Sequence, residues 1–557
     1  MSARNLIIGL DGADLDLVRA LGSRRLPALH ALLERGVCAA LRSVQPPATL
    51  PNWTTFLTGA DPGAHGVFDF TVRSGYRVRF SAGCVRELAT FMSRLDALGL
   101  SCLCAGFPGT WPPEQLGNGV FISGWDAPVA FEADRSFVWP PELYGELKRE
   151  HGALRFDDVD EFAAGHEAWH ERLPAALVRR VRRKTELGLW LLERRSWDVF
   201  AFYFGESDTA SHHLWSLHDP ESPRRPSHVN ARQRDGLARV YEALDEAVAE
   251  LARAAGPDTE VTVVSDHGSG GSSDKVLYLN CVLEQAGLLR MHRSATAGLA
   301  RGLKETALTQ LPPRLRERVY RFAGARLPGL LESSSRFGAI DMARTTVFSD
   351  ELNYFPALHF NLRGREPNGT LHPGDAPRVR RDVEQLLAGL RDPWTGRPVV
   401  AWVKSREQLY RGPYLSRAPD LLLGFELDGG YSYNMMPSAG APAGTGPFRR
   451  LAPSEYLGRK GRSLPGSHRP HGLLIMAGPQ VQARGQLDAE MADATASVLA
   501  RLGIAPLEQG SGRVLPFGSP ERAATHRRLP GAPVQRSARQ GDEARVEARL
   551  RALGYLE

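Results

Sequence analysis

Three scarcities narrow what this 557-residue chain can be. It has only five cysteines: Cys38, Cys84, Cys102, Cys104 and Cys281. An odd, sparse set makes no disulfide framework. Cys102 and Cys104, one residue apart and without a second pair, make no zinc ribbon. Reduced, structural thiols are expected. No run of about 18 apolar residues occurs, so no segment is expected to span a membrane. The first apolar run, in MSARNLIIGLDGAD, is too short for a signal-peptide core, and a cytoplasmic location is the expectation. Lysine is the third scarcity, with six among 69 basic residues, so the net charge of +6 rests on arginine. Both signs are interspersed apart from one basic block, VRRVRRK at 178–184, which reads as one solvated helix face. Nucleic acid is therefore not an expected partner, whereas a basic surface suits an anionic substrate.

What remains is a globular composition, 42% hydrophobic and 24% charged, without an internal repeat. The length allows two to four domains or one large enzyme carrying insertions. Apolar strands are expected at 5–10, 100–106, 199–204, 261–264 and 473–477. Between them lie helical patterns at 15–36, broken near Pro27, and at 89–99, 173–195, 236–254 and 492–502. Such alternation predicts an α/β fold with a mostly parallel central sheet and helices on both faces. Residues 107–170 are rich in Trp, Pro and Gly and read as an irregular insertion. Residues 291–465 read as an insert, partly a cap and partly further sheet, with short strands such as 359–362. The catalytic domain is expected to span 1–520. An Arg/Gly/Pro-rich tail at 521–557 ends in a short helix, EARVEARLRALGYL.

Chemistry gathers where strands end. In VTVVSDHGSGG (261–271), a β-branched run stops at Asp266 and His267 before glycines that read as an exposed loop. Open α/β sheets place ligands at the carboxyl ends of their strands. Asp11 also ends an apolar strand. Asp208 and His212 follow VFAFYF four residues apart, the spacing that puts two side chains on one helix face. Carboxylates and imidazoles gathered at one edge without a cation would suffer repulsion and desolvation. Divalent metal relieves both, and a mixed N/O donor set suits Zn²⁺, with Mn²⁺ or iron as alternatives. Asp208 and His212 need a further histidine. His468 in GSHRPHG is the best candidate and His471 its competitor, with His213, His65 and His359 behind. His468 precedes a strand, so that strand must run antiparallel to its neighbours or its loop must cross to the ligand edge.

Taken together, Asp11, Thr49, Asp208-xxx-His212, Asp266-His267 and His468 resemble the alkaline phosphatase superfamily. Within it they resemble the type I phosphodiesterase/nucleotide pyrophosphatase family. The stretches PPATLPNWTTFLTGADPGAHGVFDF, SDHG, LYLNCVLEQAGLL, NLRGREPNG and SHRPHGLLIMAGP carry the likeness over about residues 5–520, and RLRALGYLE resembles the tail of bacterial members. The resemblance implies two divalent ions, one held by Asp208, His212 and His468, the other by Asp11, Asp266 and His267 with the Thr49 hydroxyl. It makes Thr49 the nucleophile, activated by metal and passing through a phospho-threonine. It implies hydrolysis of phosphodiester or pyrophosphate bonds in a small phosphate ester. Animal-type members carry an Asn that helps hold the phosphate where this chain has Phe70. The Cys/Ser-x-Pro-x-Arg signature of formylglycine sulfatases is absent. A phosphomonoesterase, phosphonate-ester hydrolase or phosphoryl transferase could use the same core, as could a non-catalytic anion-binding protein. Oligomeric state is not legible.

Overall fold

The protein is described by a computed structural model covering residues 4–80, 85–124, 135–152, 159, 167–292, 333 and 336–516, less 443, 459–462, 480 and 482–484. Cys84, part of the expected cap and the expected tail helix lie outside the described residues. The elements that build the site are, in chain order, strands β1 (Arg4–Leu10) and β2 (Val37–Arg42), helix α1 (Thr49–Thr58), strand β3 (Cys102–Ala105), helix α2 (Glu167–Arg194), strand β4 (Val199–Phe204), helices α3 (Glu206–His218) and α4 (Ala231–Ala255), and strands β5 (Thr259–Val264), β6 (Gly268–Leu277), β7 (Gly466–Arg469) and β8 (His471–Ala477).

The main sheet runs in the order Gly485–Glu490, β2, β8, β5, β1, β4, β3, Gly119–Ile122, Val138–Trp139. Its pairings are parallel except those of β8 and of Val138–Trp139. The central strands are apolar almost throughout because both faces are covered. On one face, Leu6, Ile8 and Leu10 of β1 pack with Leu177 and Val181 of α2 and Leu244 of α4. On the other, Ile7 packs with Trp53 and Phe56 of α1 and Val498 of the helix Met491–Arg501.

Three local expectations change. The glycines at 268–271 are no exposed loop but the buried start of β6, antiparallel to β7. A Cβ on Gly268 would lie 2.1 Å from the His471 carbonyl oxygen, so bare backbone is what lets these segments approach. The basic block on α2 is not one solvated face: Arg182 and Arg183 are exposed, but Val181 and Lys184 are buried. Positions 177, 181 and 184 share the core-facing stripe of the helix, and Lys184 meets Glu206 at 2.7 Å in the interior. Finally, the segment expected to be irregular adds Gly119–Ile122 and Val138–Trp139 to the main sheet, strands too short to stand out among Trp, Pro and Gly.

The described part of residues 336–465 includes an antiparallel sheet, Val347–Phe348, Ala357–Phe360, Leu421–Phe425, Val400–Ser405, which shares a separate core with the helix Ala376–Ala388. The same region is tied to the hairpin strand Thr71–Ser74 by Arg73 on Glu366 (3.2 Å) and to the segment after β2 by the Tyr410 hydroxyl donating to the Gln45 carbonyl (2.9 Å). Among the described residues no helix is long and apolar enough to cross a membrane.

Candidate active site

Parallel strands on both sides of β1 bring their carboxyl ends to one edge. Asp11 follows β1, Asp266 and His267 follow β5, and Asp208 lies in the first turn of α3, just after β4. Strand β8 runs antiparallel to β5 and β2, so its beginning returns to that same edge, and β7 immediately before it delivers His468. His212 stands one helical turn beyond Asp208, with Nε2 3.3 Å from Asp208 Oδ1. His468 Nε2 lies 3.6 Å from that oxygen and 2.9 Å from His212 Nε2. Deeper in, His267 Nε2 is 3.5 Å from Asp11 Oδ1 and 3.3 Å from Asp266 Oδ2. Among the described residues two groups of donor atoms are close enough to share an ion: Asp208, His212 and His468, and Asp11, Asp208 and His267. Asp208 belongs to both, and Asp266 adjoins the second through His267.

Every histidine of the cluster has its Nδ1 against a backbone carbonyl: His212 on Gly466 (3.0 Å), His267 on Gly268 (3.0 Å) and His468 on Pro47 (2.7 Å). Those bonds place a proton on each Nδ1 and leave each Nε2 lone pair turned inward, the tautomer a metal ligand needs. Asp11 Oδ1, Asp208 Oδ1, Asp266 Oδ2 and His267 Nε2 are buried without a hydrogen bond. Burial, with Asp208 nearby, pushes the Asp11 carboxyl up to about 7. Burial and then Asp11 raise Asp266 well above the carboxylate range. Burial pulls His267 down to about 4, and burial with His267 and His212 takes His468 well below its ordinary value. Acceptors facing acceptors in a desolvated space are unfavourable by themselves; a divalent cation between them reverses the balance. The donor set therefore fits a metal centre.

Thr49 is the half-buried first residue of α1. The turn before it is held by Asn52, whose Oδ1 accepts from Val44 N–H (2.7 Å) and whose Nδ2 donates to the Pro46 and Ala48 carbonyls (2.9 Å each). The Pro47 carbonyl in that turn is the one that receives His468, so the turn that precedes Thr49 and the carboxylate–imidazole cluster are directly joined. Sequence reasoning missed Trp53 and Tyr203. The indole N–H (2.8 Å) and the phenol (2.6 Å) both donate to Asp11 Oδ2, which fixes the carboxylate and leaves Oδ1 toward His267. The available signal was a tyrosine within the otherwise apolar VFAFYF, since a buried phenol must find a partner.

The other histidines are engaged elsewhere. His65 is buried against Thr55 (3.0 Å), His359 meets Asp350 (3.1 Å), and His213 packs on Trp169 with ring centroids 4.8 Å apart. His471 is exposed at the start of β8. Phe70 is buried beside Tyr354.

A mostly parallel sheet that gathers carboxylates and imidazoles at its carboxyl edge fits the class of metal-dependent α/β hydrolases. The chain belongs, more narrowly, to the type I phosphodiesterase / nucleotide pyrophosphatase family, whose model matches residues 5–445. The family's members are hydrolases of small phosphate esters. Solved structures similar to this chain include human ectonucleotide pyrophosphatase / phosphodiesterase 5, at 13% identity and a TM-score of 0.48, covering 92% of this chain and 97% of that one. The murine protein is similar at 13% identity and a TM-score of 0.47, covering 93% and 97%. No curated protein matches the sequence.

Proposed function

We propose that this protein hydrolyses phosphodiester or pyrophosphate bonds through a phospho-threonine on Thr49, with two divalent ions, Zn²⁺ by the chemistry of the donors. The observation that carries the proposal is the junction of two structures. The His468 ring, inside the carboxylate–imidazole cluster, donates to the turn from which Thr49 opens α1. Asp208, His212 and His468 would hold one ion. Asp11, Asp266 and His267 would hold the other with Thr49, and Asp208 lies close to both groups.

Bound divalent ions supply positive charge for the phosphoryl oxygens and lower the pKa of a coordinated hydroxyl. The chain supplies the rest. Thr49 Oγ1 forms a bond to phosphorus as the ester bond on the opposite side breaks, and the threonine proton passes through solvent to the departing alkoxide, which leaves as the alcohol. Water then cleaves the threonine ester and returns the proton. The amino-terminal end of α1 favours the anion bound beside Thr49 through its partial positive charge. Trp53 and Tyr203 keep Asp11 from rotating, and the three backbone-anchored imidazoles cannot turn away.

Thr49→Ala tests the covalent route. Loss of the nucleophile should lower kcat by at least about a thousandfold, while bound metal, measured by elemental analysis, stays near the wild-type content because Thr49 is one ligand of several. Near-normal turnover in that variant would mean that water attacks phosphorus directly, and the phospho-threonine would be wrong.

A further inference from the structure

Helix α3 opens on Glu206, Ser207 and Asp208, and no side chain caps it, the residue before it being Gly205. A helix start without a cap is placed by whatever else its first turn touches. Here each side chain reaches a different element. The Ser207 hydroxyl donates to the Asp11 carbonyl at the end of β1 (2.6 Å). Asp208 enters the ligand cluster, packed so close to β1 that a Cβ on Gly12 would lie 3.0 Å from its Oδ1. Glu206 reaches α2, its Oε1 2.7 Å from Lys184 Nζ and 4.0 Å from Arg180 Nε. The side chains of Lys184 and Glu206 are both fully buried.

The same ammonium lies 5.8 Å from the centroid of the Tyr203 ring and 5.9 Å from that of Phe204, within cation–π reach. Tyr203 is the residue whose phenol holds Asp11 Oδ2 (2.6 Å). One lysine therefore stands behind two carboxylates of the cluster: Asp208 through the start of α3, and Asp11 through Tyr203. A buried ion pair does little for stability. Desolvation consumes most of what the attraction returns, and apolar residues of similar size often serve as well. What the pair does supply is a short, directional contact on the turn that carries Asp208 and, four residues on, His212.

We propose that Lys184 and Glu206 are positioning residues of the metal centre, a buried pair that sets Asp208 and His212 against His468 and steadies Asp11. This rests on the cluster binding divalent metal, as argued above.

The test compares zinc affinity, by competition with a chromogenic chelator, and the melting temperature of the metal-free protein in the wild type, Lys184→Met and Lys184→Met/Glu206→Met. The double variant removes one positive and one negative charge, so the net charge behind the cluster is unchanged and its zinc affinity reports geometry. It should melt close to the wild type, whereas Lys184→Met, which strands the Glu206 carboxylate, should melt lower. Zinc should bind the double variant about tenfold or more weakly, the scale on which the partners that orient metal ligands act. Wild-type zinc affinity in the folded double variant overturns the proposal. So does a double variant that fails to fold, because the pair would then hold the fold rather than the site. A Lys184→Met that melts like the wild type overturns it as well, since the two charges would not be paired. A wild type that binds no zinc overturns the metal centre and the pair's role together. One that binds zinc but cleaves no ester refutes the hydrolase proposal alone.

Discussion

His468 and His471 are three residues apart, and sequence spacing cannot choose between them. Pro470 makes the choice, because it separates β7, which faces the ligand cluster, from β8, whose first residue is exposed. The residue types and the edge on which they gather were legible, since each carboxylate ends or follows an apolar strand. What was hidden is side-chain orientation. The Nδ1 bonds go to carbonyls of Pro47, Gly268 and Gly466, which sequence cannot point at, and Trp53 and Tyr203 reach Asp11 from separate elements. His468→Ala should reduce bound zinc from about two ions per chain toward one, following the two-metal template, whereas His471→Ala should retain both. The reverse pattern, measured by elemental analysis of the dialysed proteins, would exchange their roles.

At the scale of elements, apolar strands and amphipathic helices were legible because composition and periodicity agree there. Strand β6 was not. GSGGSS carries loop residues, and close neighbours explain its glycines, backbone at Gly268 and side chains of Arg469, Tyr431 and Trp215 at Gly270 and Gly271. Gly268 meets the His471 carbonyl, and a Cβ on Gly466 would lie 2.0 Å from the Ser211 carbonyl oxygen of α3. These glycines let β6, β7 and α3 close on one another and bring His468 within reach of His212. Gly268→Ala should therefore separate β6 from the β7–β8 corner. Overpacking of this kind costs about 1–3 kcal/mol, so the melting temperature should fall and zinc should bind less tightly. Unaltered melting and zinc affinity would show that the approach is not needed. The basic block on α2 misled for a related reason. A lysine reads as solvated unless its partner is known, and Glu206 is distant in sequence.

For the whole molecule, the α/β class followed from the alternation of elements, and of the two routes open to His468, a reversed strand or a loop crossing to the ligand edge, the structure uses the reversed β8. The cap's core was hidden because its strands are short and pair across long sequence separations, as Leu358 does with Leu421. The cap nevertheless shapes the site. Tyr410 holds the Gln45 carbonyl near the turn that precedes Thr49, and Tyr354 stands beside His468. The most direct measurement of the proposed activity is kcat/KM of the zinc-loaded protein for a diester and a monoester of one chromogenic alcohol, before and after chelation. We expect the diester to be cleaved faster, with activity lost to the chelator and restored by zinc. A monoester preference above about tenfold, some 1.4 kcal/mol of transition-state discrimination, or turnover untouched by chelation, would contradict it.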